Sequence, residues 1–281
     1  MRPMRRFHAL LCLTGLVGCD PIDEEDTLAV DEVVGDDESL PEGPDRLGAG
    51  AKDPDAAYVS SYTWLVGDPI LDMGPVNDRV CFLRGYQGRL EPWAVHSSQG
   101  VVDIYNNRWR VYGGHDATSV DAVCVPLDWY GQSLWYSIEH SVDAFTNSLK
   151  DLGPSAGKVC FLTVVSGRFE GGGEAVQVYM SNGRWNLSAQ SQQSRSNPQN
   201  NVLGGARCIH NSAWISGPYH WQQGQASVTM ASISDWICGL TRLTGKFEGG
   251  GEGVKVWASG GSWTLGGTSQ QAGVAASAHC L

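Results

Sequence analysis

One fifteen-residue stretch of this chain is written twice. Cys160-Phe161-Leu162-Thr163-Val164-Val165-Ser166-Gly167-Arg168-Phe169-Glu170-Gly171-Gly172-Gly173-Glu174 returns as Cys238-Gly239-Leu240-Thr241-Arg242-Leu243-Thr244-Gly245-Lys246-Phe247-Glu248-Gly249-Gly250-Gly251-Glu252. A weaker copy begins at Cys81 and keeps Leu83, Gly88, Arg89, Leu90 and Glu91, with Pro92 and Trp93 in place of the glycine run. Three similar units expose similar faces and need similar cover, so the chain must repeat its structure as well. Each unit holds one pair of cysteines: Cys81 with Cys124, Cys160 with Cys208, and Cys238 with Cys280. One bridge inside each unit is the simplest pairing that respects the repeat. Each bridge closes a loop long enough to contribute about 3 to 4 kcal/mol on the chain-entropy model. No Cys-x-x-Cys pair is present, which leaves little support for zinc.

Within the units the period is two. Val159 to Ser166 and Ala175 to Met180 are rich in β-branched residues and bounded by glycine or asparagine, the pattern of short strands. Ser181-Asn182-Gly183 and Ser259-Gly260-Gly261 carry the residue types that hairpin turns with positive φ require, and each leads into a returning Trp-x-Leu. One segment, Ser141 to Leu152, is compatible with a helix. Tryptophans recur at the unit openings (Trp64, Trp135, Trp221), after the hairpins (Trp109, Trp185, Trp263) and behind two second cysteines (Trp129, Trp214). An aromatic that recurs with the unit reads as core. The expected fold is all-β: three tandem disulfide-stabilised antiparallel β-units over residues 57–130, 131–214 and 215–281, separate but packed. The alternative is one pseudo-threefold domain of trefoil or propeller type.

The start of the chain carries an address. Arg2, Arg5 and Arg6 precede an apolar run from Ala9 to Val17 that is too short to span a bilayer and has the order of an export signal. It ends in Leu16-Val17-Gly18-Cys19, which resembles the lipobox of bacterial lipoproteins. The resemblance covers residues 1–19 and implies a signal peptide over 1–18, acylation of Cys19 with diacylglycerol and palmitate-type chains, and a membrane anchor in the bacterial cell envelope. Residues 19–56 follow as a lipidated cysteine and an acidic tether. The stretch from Asp20 to Ala56 holds 14 of the 30 acidic residues with only Arg46 and Lys52 against them, a composition that cannot bury a core. The remainder is close to neutral, with no basic stripe for phosphates, so nucleic acid is not an expected partner.

The sharpest chemical feature is the pair of glutamates that bracket each glycine run. Glu170 with Glu174, and Glu248 with Glu252, stand four apart across three residues without side chains. A loop of that kind can converge two carboxylates on Ca²⁺ or on sugar hydroxyls, or it can be a turn whose ends carry solvated acids. Carboxylate pairs also serve glycoside hydrolases, but two near-identical copies do not provide the unlike environments that acid and base need. No nucleophile elbow, no His-Glu-x-x-His and no phosphate loop occurs in the sequence, and no enzymatic activity or resident cofactor is expected.

Strand alternation places Gln177 and Tyr179, and likewise Lys255 and Trp257, opposite the valine face; Asp103 and Tyr105 are read as their unit 1 counterparts. Trp93 and Trp236 fall outside the tryptophan repeat and are candidates for exposed contacts. Gly260-Gly261-Ser262-Trp263-Thr264-Leu265-Gly266, with Gln271 and Val274 behind it, resembles the repeat of small bacterial mannan-binding lectins. That resemblance covers some twenty residues of unit 3, departs from unit 2 after Leu187, and lacks the paired cysteines; it implies carbohydrate binding. The expected function is an envelope lipoprotein that binds a glycan or a surface protein. A structural or assembly role and a glycoside hydrolase are the alternatives.

Overall fold

The computed structural model describes residues 60–90, 98–126, 140–143, 149–191, 202–210, 215–271 and 273–281. Cys19, Glu91, Trp93, Trp129, Trp135 and Trp214 lie outside the described residues. Unit 1 contributes β1 (Ser60–Leu65), β2 (Leu71–Pro75), β3 (Arg79–Gly88), β4 (Gln99–Tyr105), β5 (Arg108–Gly113) and β6 (Ala117–Pro126). Unit 2 contributes β7 (His140–Asp143), β8 (Leu149–Pro154), β9 (Lys158–Gly167), β10 (Ala175–Ser181), β11 (Arg184–Gln190) and β12 (Val202–His210). Unit 3 contributes β13 (Ser216–Gln222), β14 (Val228–Ser232), β15 (Cys238–Thr244), β16 (Gly253–Ser259), β17 (Ser262–Thr268) and β18 (Ala275–Cys280). The fold is all-β, antiparallel throughout, with three repeats and three disulfides. The span from Ser141 to Leu152, compatible with a helix by sequence, instead carries parts of β7 and β8, which pair with β12 and β11. Strand partners override the weak local helical preference there.

The units are not separate beads. Each sheet has six strands, in the orders β1-β6-β3-β16-β17-β14 (the first sheet), β2-β5-β4-β9-β12-β7 (the second) and β13-β18-β15-β10-β11-β8 (the third). Every unit therefore divides into two three-stranded halves that join different sheets. The seams are β3 with β16, β9 with β4 and β15 with β10, so unit 1 joins unit 3, unit 2 joins unit 1 and unit 3 joins unit 2. This exchange closes the chain into a pseudo-threefold cycle, the arrangement that separate packed units would not produce. Sharing sheets converts what would be exposed half-sheet edges into paired ones.

Backbone hydrogen bonds record the cycle directly. Leu90 N–H donates to Phe247 O (2.8 Å), Phe247 N–H to Phe169 O (2.8 Å) and Phe169 N–H to Leu90 O (2.7 Å), a closed ring through all three units. All three side chains are fully buried. A second central contact explains a break in the repeat. Phe82 and Phe161 stack with ring centroids 4.1 Å apart, and a Cβ on Gly239, their counterpart, would lie 2.4 Å from the Phe82 ring. Two rings fill the space of three side chains, so the third position must be glycine.

The disulfides join Cys81 to Cys124, Cys160 to Cys208 and Cys238 to Cys280. Each links directly opposed residues of neighbouring strands, with Cα atoms 4.0, 3.9 and 4.0 Å apart, which suits the close, non-hydrogen-bonded class of antiparallel pair. The post-hairpin tryptophans are core, as their recurrence implied. Trp109, Trp185 and Trp263 are at most 1% exposed, and their indole N–H groups donate to the carbonyls of Arg79, Lys158 and Trp236. The hairpins turn through Asn106-Asn107, Asn182-Gly183 and Gly260-Gly261, all at positive φ.

Candidate functional site

The bracketing glutamates do not act as pairs. Glu170 is held by Arg168, and Glu248 by Lys246 at 2.8 Å, so the first glutamate of each pair forms an ion pair with the residue two before it. Glu174 and Glu252 turn inward and are 0% and 5% exposed. Their positions continue the alternation of the following strands, two residues ahead of Val176 and Val254 on the core-facing side. Neither carboxylate oxygen of Glu174, nor Oε2 of Glu252, has a hydrogen-bond partner.

The glycine runs are seams between units. In unit 3, Arg89 donates to Glu248 O (2.6 Å), Thr118 and Gln87 to Gly250 O (3.3 and 3.4 Å), and Thr268 to Gly251 O (2.9 Å). Three of those four donors come from unit 1. In unit 2, Gly245 N–H and the Thr244 hydroxyl of unit 3 donate to Glu174 O (3.0 and 2.7 Å). Gly249 covers the Glu252 carboxylate, since a Cβ there would lie 2.5 Å from Oε2. The loop carbonyls thus accept from protein donors, and Glu170 and Glu248 are held by basic neighbours while Glu174 and Glu252 turn inward, so the two glutamates of a pair are not turned together toward one calcium shell of roughly six to eight oxygens. Among the described residues no group of three or more His, Cys, Asp or Glu side chains is gathered as metal ligands.

The outward faces of the seams differ in character. Pairing of β4 with β5, β10 with β11 and β16 with β17 sets Asp103, Tyr179 and Trp257 at equivalent places. Tyr105 corresponds instead to Ser181 and Ser259, two residues from its expected counterparts. On the first sheet, Trp257 and Lys255 of β16 face Gly85 and Gln87 of β3 and Asp121 and Ser119 of β6, around a groove of about 410 Å³. Gly85 lets Asp121 and Lys255 meet over its strand: a Cβ there would fall 2.7 Å from Asp121 Oδ2 and 2.8 Å from Lys255 Cβ. Gly266 of β17 lies against the Trp257 indole, where a Cβ would be 2.8 Å from Cη2. The half-buried Trp257 ring has the Lys255 ammonium 5.8 Å from its centroid, and the Thr63 hydroxyl donates to Asp121 Oδ1 at 2.6 Å. An aromatic surface with an acid, an ammonium, an amide and hydroxyls around it can stack on a sugar ring and bind its hydroxyls.

No protein-family model matches the chain, and no curated protein matches it at a significant level. The geometry therefore carries the functional reading. On the second sheet Asp103 stands where Trp257 does, bonded to Arg110 (2.9 and 2.7 Å) and to the Tyr112 hydroxyl (3.2 Å). Its hydrogen bonds raise the Arg110 guanidinium above its ordinary pKa, and Arg110 also lies over the Tyr105 ring at 4.5 Å. Val101 and Val164 occupy the places of Lys255 and Gly85. The third sheet presents Tyr179 and Gln177, but Arg242 fills the place of Gly85, and Ser277, in the place of Asp121, shares a 2.7 Å hydrogen bond with His220 Nδ1.

The structure thus brings Trp257 into a groove and leaves Tyr179 half-buried on a more crowded face. Trp236 stands in the place of Arg79 and Lys158, outside the tryptophan repeat, but it is half-buried against the core rather than an exposed contact. Gly85, Gln87 and Asp121 were missed by sequence reasoning because they reach Trp257 only through strand exchange. Gly85 did leave a signal. It stands where the other units hold Val164 and Arg242.

Proposed function

We propose that this chain is an exported, lipid-anchored envelope protein that works by binding, and that its ligand is a glycan seated in the first-sheet groove. The observation that carries the reading is Trp257, half-buried beside Lys255, Asp121 and Gln87 in a space of about 410 Å³. The envelope location rests on the basic and apolar start of the chain and the Leu16-Val17-Gly18-Cys19 motif, and three disulfides suit an oxidising compartment. Acyl chains on Cys19 would anchor the protein durably, and the acidic segment would hold the sheets away from the lipid.

Two experiments test this. A glycan array probed with the oxidised chain should show hits that Trp257→Ala removes. Hits that survive that substitution would place the ligand elsewhere. Cells fed labelled palmitate should label the wild-type chain and not Cys19→Ser; equal labelling of both would refute the anchor. If no glycan binds and the chain is recovered with one envelope protein instead, the assembly role replaces the glycan reading.

A further inference from the structure

The groove under Trp257 does not end at the first sheet's seam. A second cavity of about 550 Å³ adjoins it, and Gly267 and Thr268 line both. Its wall includes Trp221, Gln225, Ser269 and Gln270, and among the described residues its one charged group is Glu252. Trp221 is fixed there by donating its indole N–H to Gln225 O at 3.1 Å.

Glu252 is 5% exposed, its Oε2 has no hydrogen-bond partner, and among the described residues no Lys, Arg or His lines the cavity. A buried carboxylate that lacks a donor is costly to leave so, and the covering residue, Gly249, has no side chain to supply one. Over the two cavities together Asp121 and Glu252 stand against Lys255, which leaves one negative charge uncompensated. The group that completes such a site is a small cation able to donate hydrogen bonds.

We propose that the Glu252 cavity takes the free ammonium group of an amino sugar, so that the glycan bound across the groove carries a non-acetylated hexosamine. The inference rests on the glycan reading of the Trp257 groove and specifies it. One sugar ring stacks on Trp257, and its neighbour crosses Gly267 and Thr268 to present its amine to Glu252. N-acetylation would replace the ammonium with a neutral amide and leave the carboxylate without its counter-charge.

The test is calorimetric titration of the full-length, disulfide-bonded chain with a β-1,4-linked glucosamine tetramer and with its fully N-acetylated counterpart, at low salt. The amine form should bind at least about tenfold more tightly, the scale of one charge-assisted hydrogen bond. Glu252→Gln should erase that preference while keeping affinity for the acetylated form. Gln225→Glu, at an exposed position of the same cavity, should increase the preference several-fold and does not depend on the fate of a buried substitution. Equal or tighter binding of the acetylated tetramer, or a preference that persists in Glu252→Gln, overturns the amine assignment. The glycan reading would survive that result if Trp257→Ala still abolished binding. Binding of poly-lysine with no binding of either tetramer would overturn the assignment in favour of a protein ligand, and no binding of any of the three overturns it as well.

Discussion

The first and second sheets place the same strands at the same seam and make opposite use of them. At the first, Gly85 lets Asp121 and Lys255 pack directly over the strand, beside the groove that they line with Trp257. At the second, Val101 and Val164 take the places of Lys255 and Gly85, and Asp103, Arg110 and Tyr112 satisfy one another. The difference shows how a threefold frame can be specialised without being altered: the closed ionic face and the amphipathic one differ in the side chains at equivalent places, Asp103 for Trp257, Val101 for Lys255, Val164 for Gly85, Gly205 for Asp121, Arg110 for Thr264 and Tyr112 for Gly266. Charge alone does not make a binding face. A carboxylate already paired with a guanidinium has little left for a ligand.

The largest expected effect separates the two seams by their disulfides. Replacing Cys81 and Cys124 with alanine unpins β3 from β6, which carry Gly85, Gln87 and Asp121. It should lower unfolding stability by about 4 kcal/mol and abolish glycan binding. The same change at Cys160 and Cys208 should cost similar stability in urea titrations but spare binding at temperatures well below the midpoint. Equal loss of binding in both would mean that the seams are not independent.

Gly85→Val imports the second sheet's solution into the first. The new side chain meets the Asp121 carboxylate and the Lys255 stem, so overpacking should cost up to about 3 kcal/mol and binding should vanish. Retained binding would show that the groove lined by Asp121, Lys255 and Trp257 is not the site. Trp257→Ala should weaken glycan affinity by about 2 kcal/mol, the scale of a buried aromatic anchor. Tyr105→Ala, on the second sheet, should change it by less than about 0.5 kcal/mol. Calorimetry on both variants checks the pair.

The smallest effect concerns acid stability. Asp72 with Arg108 and Asp151 with Arg184 form equivalent ion pairs on the second and third sheets, where the first sheet has Thr229 and Ser262. Hydrogen bonds from the arginines hold both carboxyls below the ordinary value of 3.8. A depressed folded pKa means stability that is fully present above the unfolded pKa and lost as pH falls through the folded one. The double variant Asp72→Asn, Asp151→Asn should therefore show a slightly lower urea midpoint than wild type at pH 6, and the same midpoint near pH 2. A gap that widens in acid would reverse the sign.

Much of this was legible in the residues. Recurring cysteines predicted all three bridges, turn residues predicted two hairpins, and alternation put Lys255 and Trp257 on the outward face. Strand exchange was not legible, because a period of two says which face a residue takes and not which unit supplies the neighbouring strand. For the same reason Asp121 could not be connected with Trp257. Glu174 and Glu252 looked like partners of Glu170 and Glu248 because spacing was read across the glycines; alternation carried back from Val176 and Val254 would have turned them inward. Tyr105 falls two residues out of register in a reading of the sequence because Val102 and Ile104 flank Asp103 as Val176 and Val178 flank Gln177, whereas the hairpins make Asp103 the counterpart of Tyr179.

The most direct test of the binding face is the indole N–H region of a ¹H–¹⁵N spectrum, recorded while the oxidised chain is titrated with a glycan that an array has identified. The account predicts that the Trp257 signal moves in proportion to binding while those of the buried Trp109, Trp185 and Trp263 stay in place. Saturable binding that leaves Trp257 unmoved, with shifts confined to the Arg110 and Tyr112 face of the second sheet, would contradict it.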